Sequence, residues 1–321
     1  MQYLKLKIIS SLVVFFLTIN LDFILPRLVP GSAAEIFASG TKLPSAAVQL
    51  ISARLGLNQP LYIQYYMYLK DVFTSWPPYF GISYQYYPEP ASVLILSRLP
   101  WTLFIICTSL VISFGISFIM VGLTTLRRGG KLEFASIYFS VFLWSMPPFF
   151  TGMVLLFVFS VYLKWTPIFG NTGLNAGVGL GYIFSVLRHA ILPIITLTML
   201  ISGYLYILLR GATQEVLKND FVLAAKARGF SVKRIAFGYV IRNSLLPIVS
   251  LTGYLMAILT SADVLVESVF GYPGVGDLIV DAIYNRDYPV LEGSFFYITV
   301  IVIVLSLLSD YISVKLDPRV K

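Results

Sequence analysis

Residues 214–247 read QEVLKNDFVLAAKARGFSVKRIAFGYVIRNSLLP and stand between two apolar runs, each long enough to cross a bilayer. The pattern predicts two short helices on a membrane surface, joined by a tight turn. Asp220 is placed to cap a helix over Phe221–Arg228, Gly229 to end that helix in a left-handed conformation, and Ser231 to cap the next helix.

Small and basic residues indicate that this polar segment docks a partner. Ala224, Ala225 and Ala227 have little side-chain bulk, so another protein could approach the backbone of the first short helix closely. The basic residues place the segment in the cytoplasm by the positive-inside rule; they are Lys218, Lys226, Arg228, Lys233, Arg234 and Arg242. We therefore expect a cytoplasmic docking site on a membrane protein.

The composition is that of a membrane protein, since 58% of the residues are hydrophobic, 12% are charged and the mean hydropathy is +0.84. The net charge of +8 does not indicate nucleic-acid binding, because the basic residues lie beside the ends of apolar runs, where they set topology. The single cysteine, Cys107, cannot form an intrachain disulfide and is interpreted as a small buried hydrophobe.

Six segments contain the roughly 20 apolar residues that a spanning helix needs. They are predicted at Ile8–Leu25, Leu99–Leu126, Phe134–Leu163, Ala190–Leu209, Leu245–Val266 and Gly293–Ser309. Most of the 23 Lys and Arg residues lie before the first span, after the second, between the fourth and fifth, and after the sixth. We therefore predict a multi-pass protein of the cell membrane, surrounded by the lipid bilayer, with both termini in the cytoplasm.

The first span is interpreted as retained in residues 1–28, although its basic start resembles a signal peptide. Asp22 and Pro26 interrupt the apolar run, and no globular domain follows it; cleavage near the small residues 31–34 stays the alternative.

The remaining organisation follows from the spans. Residues 29–98 form an external segment, either a small folded cap or a lateral helix with loops. Its four tyrosines at positions 62, 65, 66 and 68 indicate an interfacial surface or a ligand contact. Residues 99–315 form a five-helix core that contains the polar loop 211–246. Residues 316–321 form a cytoplasmic tail.

Prolines interrupt several spans. Pro147 and Pro148 break the third span at mid-depth, and Pro193 and Pro247 lie near the starts of the fourth and fifth. The carbonyl groups freed by a proline are satisfied by neighbouring helices or by water in a cavity, so these positions indicate either a transport pathway or ordinary packing kinks.

Two carboxylates, Asp263 and Glu267, lie one turn apart on the fifth span. Intramembrane carboxylates typically mark ion or solute routes. The alternative is that both lie near an outer mouth, where water reaches them. No deeper charged partner is evident in the sequence, which weakens the hypothesis of a proton-coupled route.

Patterns typical of catalysis are largely missing from the sequence. The only histidine, His189, excludes a His pair for a metalloprotease helix. Gly271 and Gly276 have the spacing of a phosphate loop, but Asp277 and Leu278 stand where Lys and Ser or Thr are required. We expect no catalytic residue, no metal site and no bound cofactor in this chain.

Several motifs resemble the permease subunits of binding-protein-dependent ABC importers, in the dipeptide and oligopeptide (DppB/OppB) branch. Ala224-Ala225, Gly229 and Leu245-Leu246-Pro247 resemble the EAA signature of the loop that contacts the ATPase. Further motifs in this order extend the resemblance over nearly the whole chain; they are Pro30-Gly31, Leu55-Gly56-Leu57, Pro60-Leu61, Gln64-Tyr65, Leu192-Pro193, Asp220-Phe221-Val222, Arg242-Asn243-Ser244, Glu267-Ser268-Val269-Phe270, Pro273-Gly274-Val275-Gly276, Arg286-Asp287-Tyr288-Pro289 and Leu316-Asp317-Pro318-Arg319.

The resemblance implies an all-α permease of six transmembrane helices, with a coupling helix between the fourth and fifth. It implies four kinds of partner: a second homologous permease, two ATP-binding subunits that hold ATP and Mg, an external solute-binding protein, and the bilayer. The ATPase-coupling residues would be Asp220, Phe221, Ala224, Ala225, Arg228 and Gly229, and the solute a peptide, an oligosaccharide or nickel.

Three positions depart from the family pattern. Leu223 stands where the EAA signature has Glu, Ser32 follows Pro30-Gly31 where Asp is common, and Phe80 precedes Gly81 where the family tends to have an acidic residue nearby. Two other classes of protein remain as alternatives. An ATP-independent secondary transporter or channel would place charges deep in its spans and use the cytoplasmic helices as a linker. An intramembrane enzyme would need a nucleophile with a base or a metal cluster.

Overall fold

A computed structural model describes residues 2–28, 58–126, 129–173 and 177–316, together with positions 49, 52, 53 and 56. The chain forms two compact units. The first contains Met1–Lys7, Leu103–Tyr272 and Val304–Lys321, and the second contains Ile8–Thr102 and Pro273–Ile303.

Helices make up nearly all of the regular structure in the described ranges, so the all-α prediction is confirmed. They are α1 (Gln2–Arg27), α2 (Leu61–Thr74), α3 (Ala91–Leu126), α4 (Lys131–Ser145), α5 (Pro148–Leu155), α6 (Leu180–Val216), α7 (Asp220–Ala227), α8 (Val232–Arg234), α9 (Arg242–Ser250), α10 (Thr252–Val269), α11 (Val275–Asn285) and α12 (Tyr288–Leu316). Two π-helical segments, Leu156–Tyr162 and Ile235–Ile241, continue α5 and α8.

Within the described residues, five helices are long and apolar enough to cross a membrane: α1, α3, α6, α10 and α12. The pair Lys131–Ser145 and Pro148–Tyr162 makes a sixth span if it is counted as one, but its two halves are bent by 98°. Helices therefore cover all six predicted span positions, and the third is broken where Pro147 and Pro148 predict a break.

The span boundaries differ from the predictions at two places. The fourth span begins at Leu180 rather than near Ala190, so Pro193 lies inside a helix instead of near its start. The predicted fifth span is divided at Leu251, where α9 ends and α10 begins. Cys107 is exposed on α3, so its interpretation as a buried residue is wrong.

Some predictions fall outside the described residues. These are most of the external segment between 29 and 57, including Ser32, together with the basic pair at 127 and 128 and the tail beyond residue 316.

In the first unit, small residues bring helix backbones close together. A Cβ atom on Gly203 of α6 would lie 2.6 Å from the Ser140 carbonyl oxygen of α4. Three serines of α3, spaced four residues apart, donate to carbonyls of α6: the Ser109, Ser113 and Ser117 hydroxyls lie 3.2, 3.3 and 3.1 Å from their acceptors. In a bilayer the hydrophobic effect does not drive helices together, because lipid tails are as apolar as the helix surfaces. Close packing and interhelical hydrogen bonds of this kind hold membrane helices together instead.

In the second unit, aromatic rings and buried charges form the interior. The Phe80 ring lies 5.2 Å from Phe296 and 6.3 Å from Tyr68. The buried Asp287 carboxylate accepts hydrogen bonds from the Ser83 hydroxyl and from the Gln85 backbone N–H. Burial raises the pKa of Asp287 above its ordinary value, and these donors act in the opposite direction.

Candidate functional site

The predicted coupling loop (residues 211–246) contains the helix α7, whose end is formed by Gly229. The Gly229 N–H donates to the Lys226 carbonyl at 2.9 Å, and the Phe230 N–H donates to the Ala225 carbonyl at 3.2 Å. These two bonds form a Schellman motif, which requires a left-handed residue at Gly229. Its φ of 76° meets that requirement and confirms the prediction.

The start of α7 lies one residue earlier than predicted. Asn219 has extended backbone angles and occupies the cap position, whereas Asp220 is the first helical residue and makes no capping bond. The prediction that Asp220 caps the helix is therefore wrong. Its carboxylate still lies in the first turn, where a negative charge interacts favourably with the helix dipole.

The next cap is as predicted. The Ser231 hydroxyl accepts a hydrogen bond from the Arg234 N–H at 3.3 Å and so starts α8. From there the chain continues through the π-helical segment Ile235–Ile241 into α9.

One face of α7 is buried in an apolar cluster. Val222 and Ala225 pack with Ile235 and Val240, and Val216, Leu217 and Phe230 border the cluster. Ala225 is 3% exposed in this cluster, and its place among the ATPase-coupling residues stays a prediction.

The opposite face of α7 and its end are exposed. The other five predicted coupling residues lie there; they are Asp220, Phe221, Ala224, Arg228 and Gly229. Leu223, at the position of the signature's Glu, is also exposed. The helix therefore has one exposed face, while its other face is buried in the apolar cluster.

The π-helical segment after α8 contacts the span α3 through Phe237. A Cβ atom on Gly122 of α3 would overlap the Phe237 ring, and the Phe118 ring lies 5.9 Å from the same ring. The glycine leaves the space that this ring fills. The coupling loop is thus packed directly against a spanning helix.

A salt bridge lies at the end of α6 where the coupling loop begins. The Arg210 guanidinium donates to one Glu133 oxygen through Nε at 3.0 Å and through a terminal nitrogen at 2.6 Å. The other Glu133 oxygen accepts from the Gly129 N–H at 2.7 Å. Glu133 therefore ties the start of α4 to α6.

The break at Pro147 and Pro148 borders an open apolar notch of about 610 Å³. Its other walls come from α6 and from a run of mostly small residues on α10, and they are Leu200, Ala257, Ile258, Ser261, Ala262 and Leu265, with Phe149 beside the prolines. The bent span therefore borders a space rather than a packed contact.

Asp263 and Glu267 are buried, with exposures of 1% and 0%. They lie on the same face of α10 and interact with each other. The interpretation that water reaches both carboxylates at an outer mouth is therefore wrong for this chain. Their place in a pathway or outer gate stays a prediction.

The sequence patterns missed the ion pairs, among them Glu133 with Arg210 and Arg27 with Glu292. In each pair a carboxylate in or beside an apolar helix meets an arginine far away in the chain. The signal that could have found them is the isolated acidic residue itself, since an unpaired charge is unfavourable at membrane depth.

Comparison with known proteins places these features in a family. Residues 113–321 match the family described as the inner membrane component of binding-protein-dependent transport systems. Residues 1–106 match the N-terminal membrane component of the same systems. The chain belongs to this family. It is a multi-pass permease subunit of an ABC importer, which works with other importer components and a binding protein.

Named relatives of this permease cover nearly all of its length. A probable peptide ABC transporter permease protein, y4tP of Sinorhizobium fredii, is 31% identical over 99% of both chains. The oligopeptide permease AppB of Bacillus subtilis is 31% identical over 94% of this chain and 93% of its own. The oligopeptide permease OppB of Haemophilus influenzae is 28% identical over 100% of this chain and 99% of its own.

Proposed function

We propose that this permease forms half of a translocation pathway for peptides and is not itself catalytic. The names of its relatives favour a peptide and give no support to an oligosaccharide. Its partners in the proposal are a second homologous permease, two ATP-binding subunits and an external solute-binding protein. ATP and Mg bind to the ATP-binding subunits, and both permease termini lie in the cytoplasm, where the basic residues concentrate.

The observation that carries the proposal is the two-sided helix α7. Its buried face, with Val222 and Ala225, fixes it to the permease, and its exposed face, with Phe221 and Ala224, is free for a cleft of the ATPase. When the ATP-binding subunits close, they displace this helix. The movement passes through the Phe237 ring to Gly122 on α3, and thereby to the spanning helices.

The residues that line the notch beside Pro147 and Pro148 are proposed to form this permease's side of the solute pathway. Its small residues on α10 leave room for side chains of variable size, and Ser261 is the polar group among them. A broken helix that borders a cavity is typical of alternating-access transporters, because freed carbonyls can be hydrated there.

The experiment compares three variants of the complex, captured through this permease and assayed for solute-stimulated ATPase activity. Gly229→Glu forces a side chain into a left-handed position, which costs about 1–2 kcal/mol, and we expect about a tenfold loss of stimulation. Gly229→Asn should retain stimulation, because Asn tolerates this conformation. Gly211→Glu adds the same charge at an exposed helical glycine with open space around it and should also retain stimulation.

Two results would contradict the proposal. If the solute stimulates the ATPase activity of the Gly229→Glu complex as strongly as that of wild type, the end of α7 does not couple to an ATPase. If the permease is recovered without ATP-binding subunits and transports without ATP, the secondary-transporter alternative is correct instead.

A further inference from the structure

The second unit contains a cavity of about 480 Å³ between α2, the segment around residues 79–87 and the start of α12. Six of its 14 lining residues are aromatic; they are Tyr68, Tyr79, Phe80, Tyr84, Tyr87 and Tyr288. The Tyr84 and Tyr288 rings lie 6.2 Å apart, and the Tyr68 and Phe80 rings lie 6.3 Å apart. The proposed function does not use this cavity.

Two hydroxyl groups in this wall lack a partner. Tyr68 is 6% exposed and Tyr288 is 2% exposed, and neither hydroxyl has a hydrogen-bond partner within the described part of the chain. A buried polar group without a partner is unfavourable, so such groups typically meet a ligand or water. Burial also raises the pKa of Tyr68 and of Tyr84, which keeps both hydroxyls neutral at cellular pH.

The charges at the cavity are net negative. Arg27 forms an ion pair with Glu292, donates to the Phe23 carbonyl at 2.8 Å and donates to the Gln64 side-chain oxygen at 3.4 Å. Its positive charge is therefore engaged by its own chain. The half-buried Asp71 on α2 adds a further carboxylate to the lining.

We propose that this cavity binds an organic ammonium group. The faces of the tyrosine and phenylalanine rings attract a cation through their quadrupoles. Asp71 balances the charge, and the Tyr68 and Tyr288 hydroxyls accept hydrogen bonds from the ammonium N–H groups. The site shares no lining residue with the coupling loop or with the notch beside Pro147, and it does not depend on the proposed solute.

Two kinds of molecule could supply this ammonium group: a soluble primary amine, or a phospholipid through its ethanolamine headgroup. Two of the lining residues lie at ends of membrane-spanning helices, since Arg27 ends α1 and Tyr288 begins α12. The experiment therefore varies the lipid as well as the amine.

The test uses the complete importer complex in nanodiscs of phosphatidylglycerol, titrated with n-butylammonium and observed by saturation-transfer NMR. Neutral n-butanol is the matched ligand control. We expect saturable binding of n-butylammonium, and a dissociation constant about tenfold higher for n-butanol, because the alcohol lacks the cation. A second titration in nanodiscs with phosphatidylethanolamine then identifies the source.

Three variants locate the site. Asp71→Asn should raise the dissociation constant of n-butylammonium about tenfold. Tyr68→Phe keeps the ring, loses the hydroxyl and should raise it about threefold. Glu89→Gln removes an exposed carboxylate of the same unit and should leave it unchanged. Matching melting temperatures confirm that each variant is folded.

The outcomes separate clearly. Competition by phosphatidylethanolamine assigns the site to a lipid headgroup, and no competition assigns it to a soluble amine; both support an ammonium site. Equal dissociation constants for n-butanol and n-butylammonium would overturn the proposal. The same dissociation constant of n-butylammonium for wild type, Asp71→Asn and Tyr68→Phe would also overturn it.

Discussion

The coupling loop and the Arg27 region of the second unit are both rich in charged residues, but they use them in opposite ways. In the coupling loop, Lys226 and Arg228 lie exposed, and apolar burial of Val222 holds the helix in place. In the second unit, Glu292 is 3% exposed and its partner is Arg27. There the charges lie inside and form part of the structure.

This difference shows which residues of the permease are available for a partner. An exposed charge on a helix held by an apolar cluster can change its contacts at little cost to folding, because surface ion pairs contribute little to stability. A buried ion pair cannot, because removing one member leaves the other without compensation. The two regions should therefore respond very differently to the loss of one charge.

The largest effect is expected from Glu292→Gln. It leaves the Arg27 guanidinium largely buried without its carboxylate, which costs about 3–5 kcal/mol. We expect a strong fall in the thermal unfolding midpoint of the purified complex and a low yield of folded permease. The double variant Arg27→Met with Glu292→Gln should recover most of this loss, because it removes both charges.

A small effect of Glu292→Gln, similar to that of a surface charge, would show that Arg27 is satisfied by Phe23 and Gln64 alone. The contrast between the two regions would then be wrong. A double variant as unstable as the single one would instead assign the loss to packing around residue 292.

A smaller effect is expected from Val222→Ala in the coupling loop. The substitution removes two methyl groups from the buried cluster with Ile235 and Val240, which costs about 2 kcal/mol. Thermal unfolding of the complex should show a moderate loss of stability, and ATPase stimulation should fall because α7 is no longer held in place.

The matched control is Lys226→Ala, an exposed residue of the same helix, whose stability should change by less than about 0.5 kcal/mol. Equal destabilisation by Val222→Ala and Lys226→Ala would show that the apolar cluster does not hold α7.

The same contrast explains how much of the molecule the sequence predicts. The turn at Gly229 and the cap at Ser231 depend on neighbours a few residues away, and both predictions are confirmed. The break at Pro147 and Pro148 is equally local, because a proline lacks the N–H that a helix interior needs. Apolar length alone predicts the membrane spans.

Features that depend on distant residues were not predictable. Arg27 and Glu292 are 265 positions apart, and nothing local to either one indicates the other. The burial of Ala225 depends on Val240, and the burial of Asp263 depends on the helices around α10. The sequence shows which residues are small or acidic, but the side of a helix that faces the protein follows from tertiary packing.

The smallest effect is expected from Asp277→Asn, which tests a more exposed ion pair in the second unit. Arg98 lies 3.5 Å from Asp277, and the two side chains are 23% and 30% exposed. Burial nevertheless raises the pKa of Asp277 above its ordinary value; Arg98 lowers it and Asp281 raises it further. The folded protein therefore holds this proton to higher pH than the unfolded chain does, whose Asp pKa is about 3.9.

It follows that the contribution of Asp277 to stability is fully present below pH about 4 and is lost as the pH rises through the folded pKa. Asp277→Asn should remove this dependence and leave the permease as stable as wild type near pH 4, but more stable at neutral pH by less than about 1 kcal/mol. Unfolding midpoints across this pH range, with Glu89→Gln as the exposed control, measure the difference. If Asp277→Asn is less stable at neutral pH, the attraction of Arg98 outweighs burial, and even a partly exposed pair then contributes to holding this unit together.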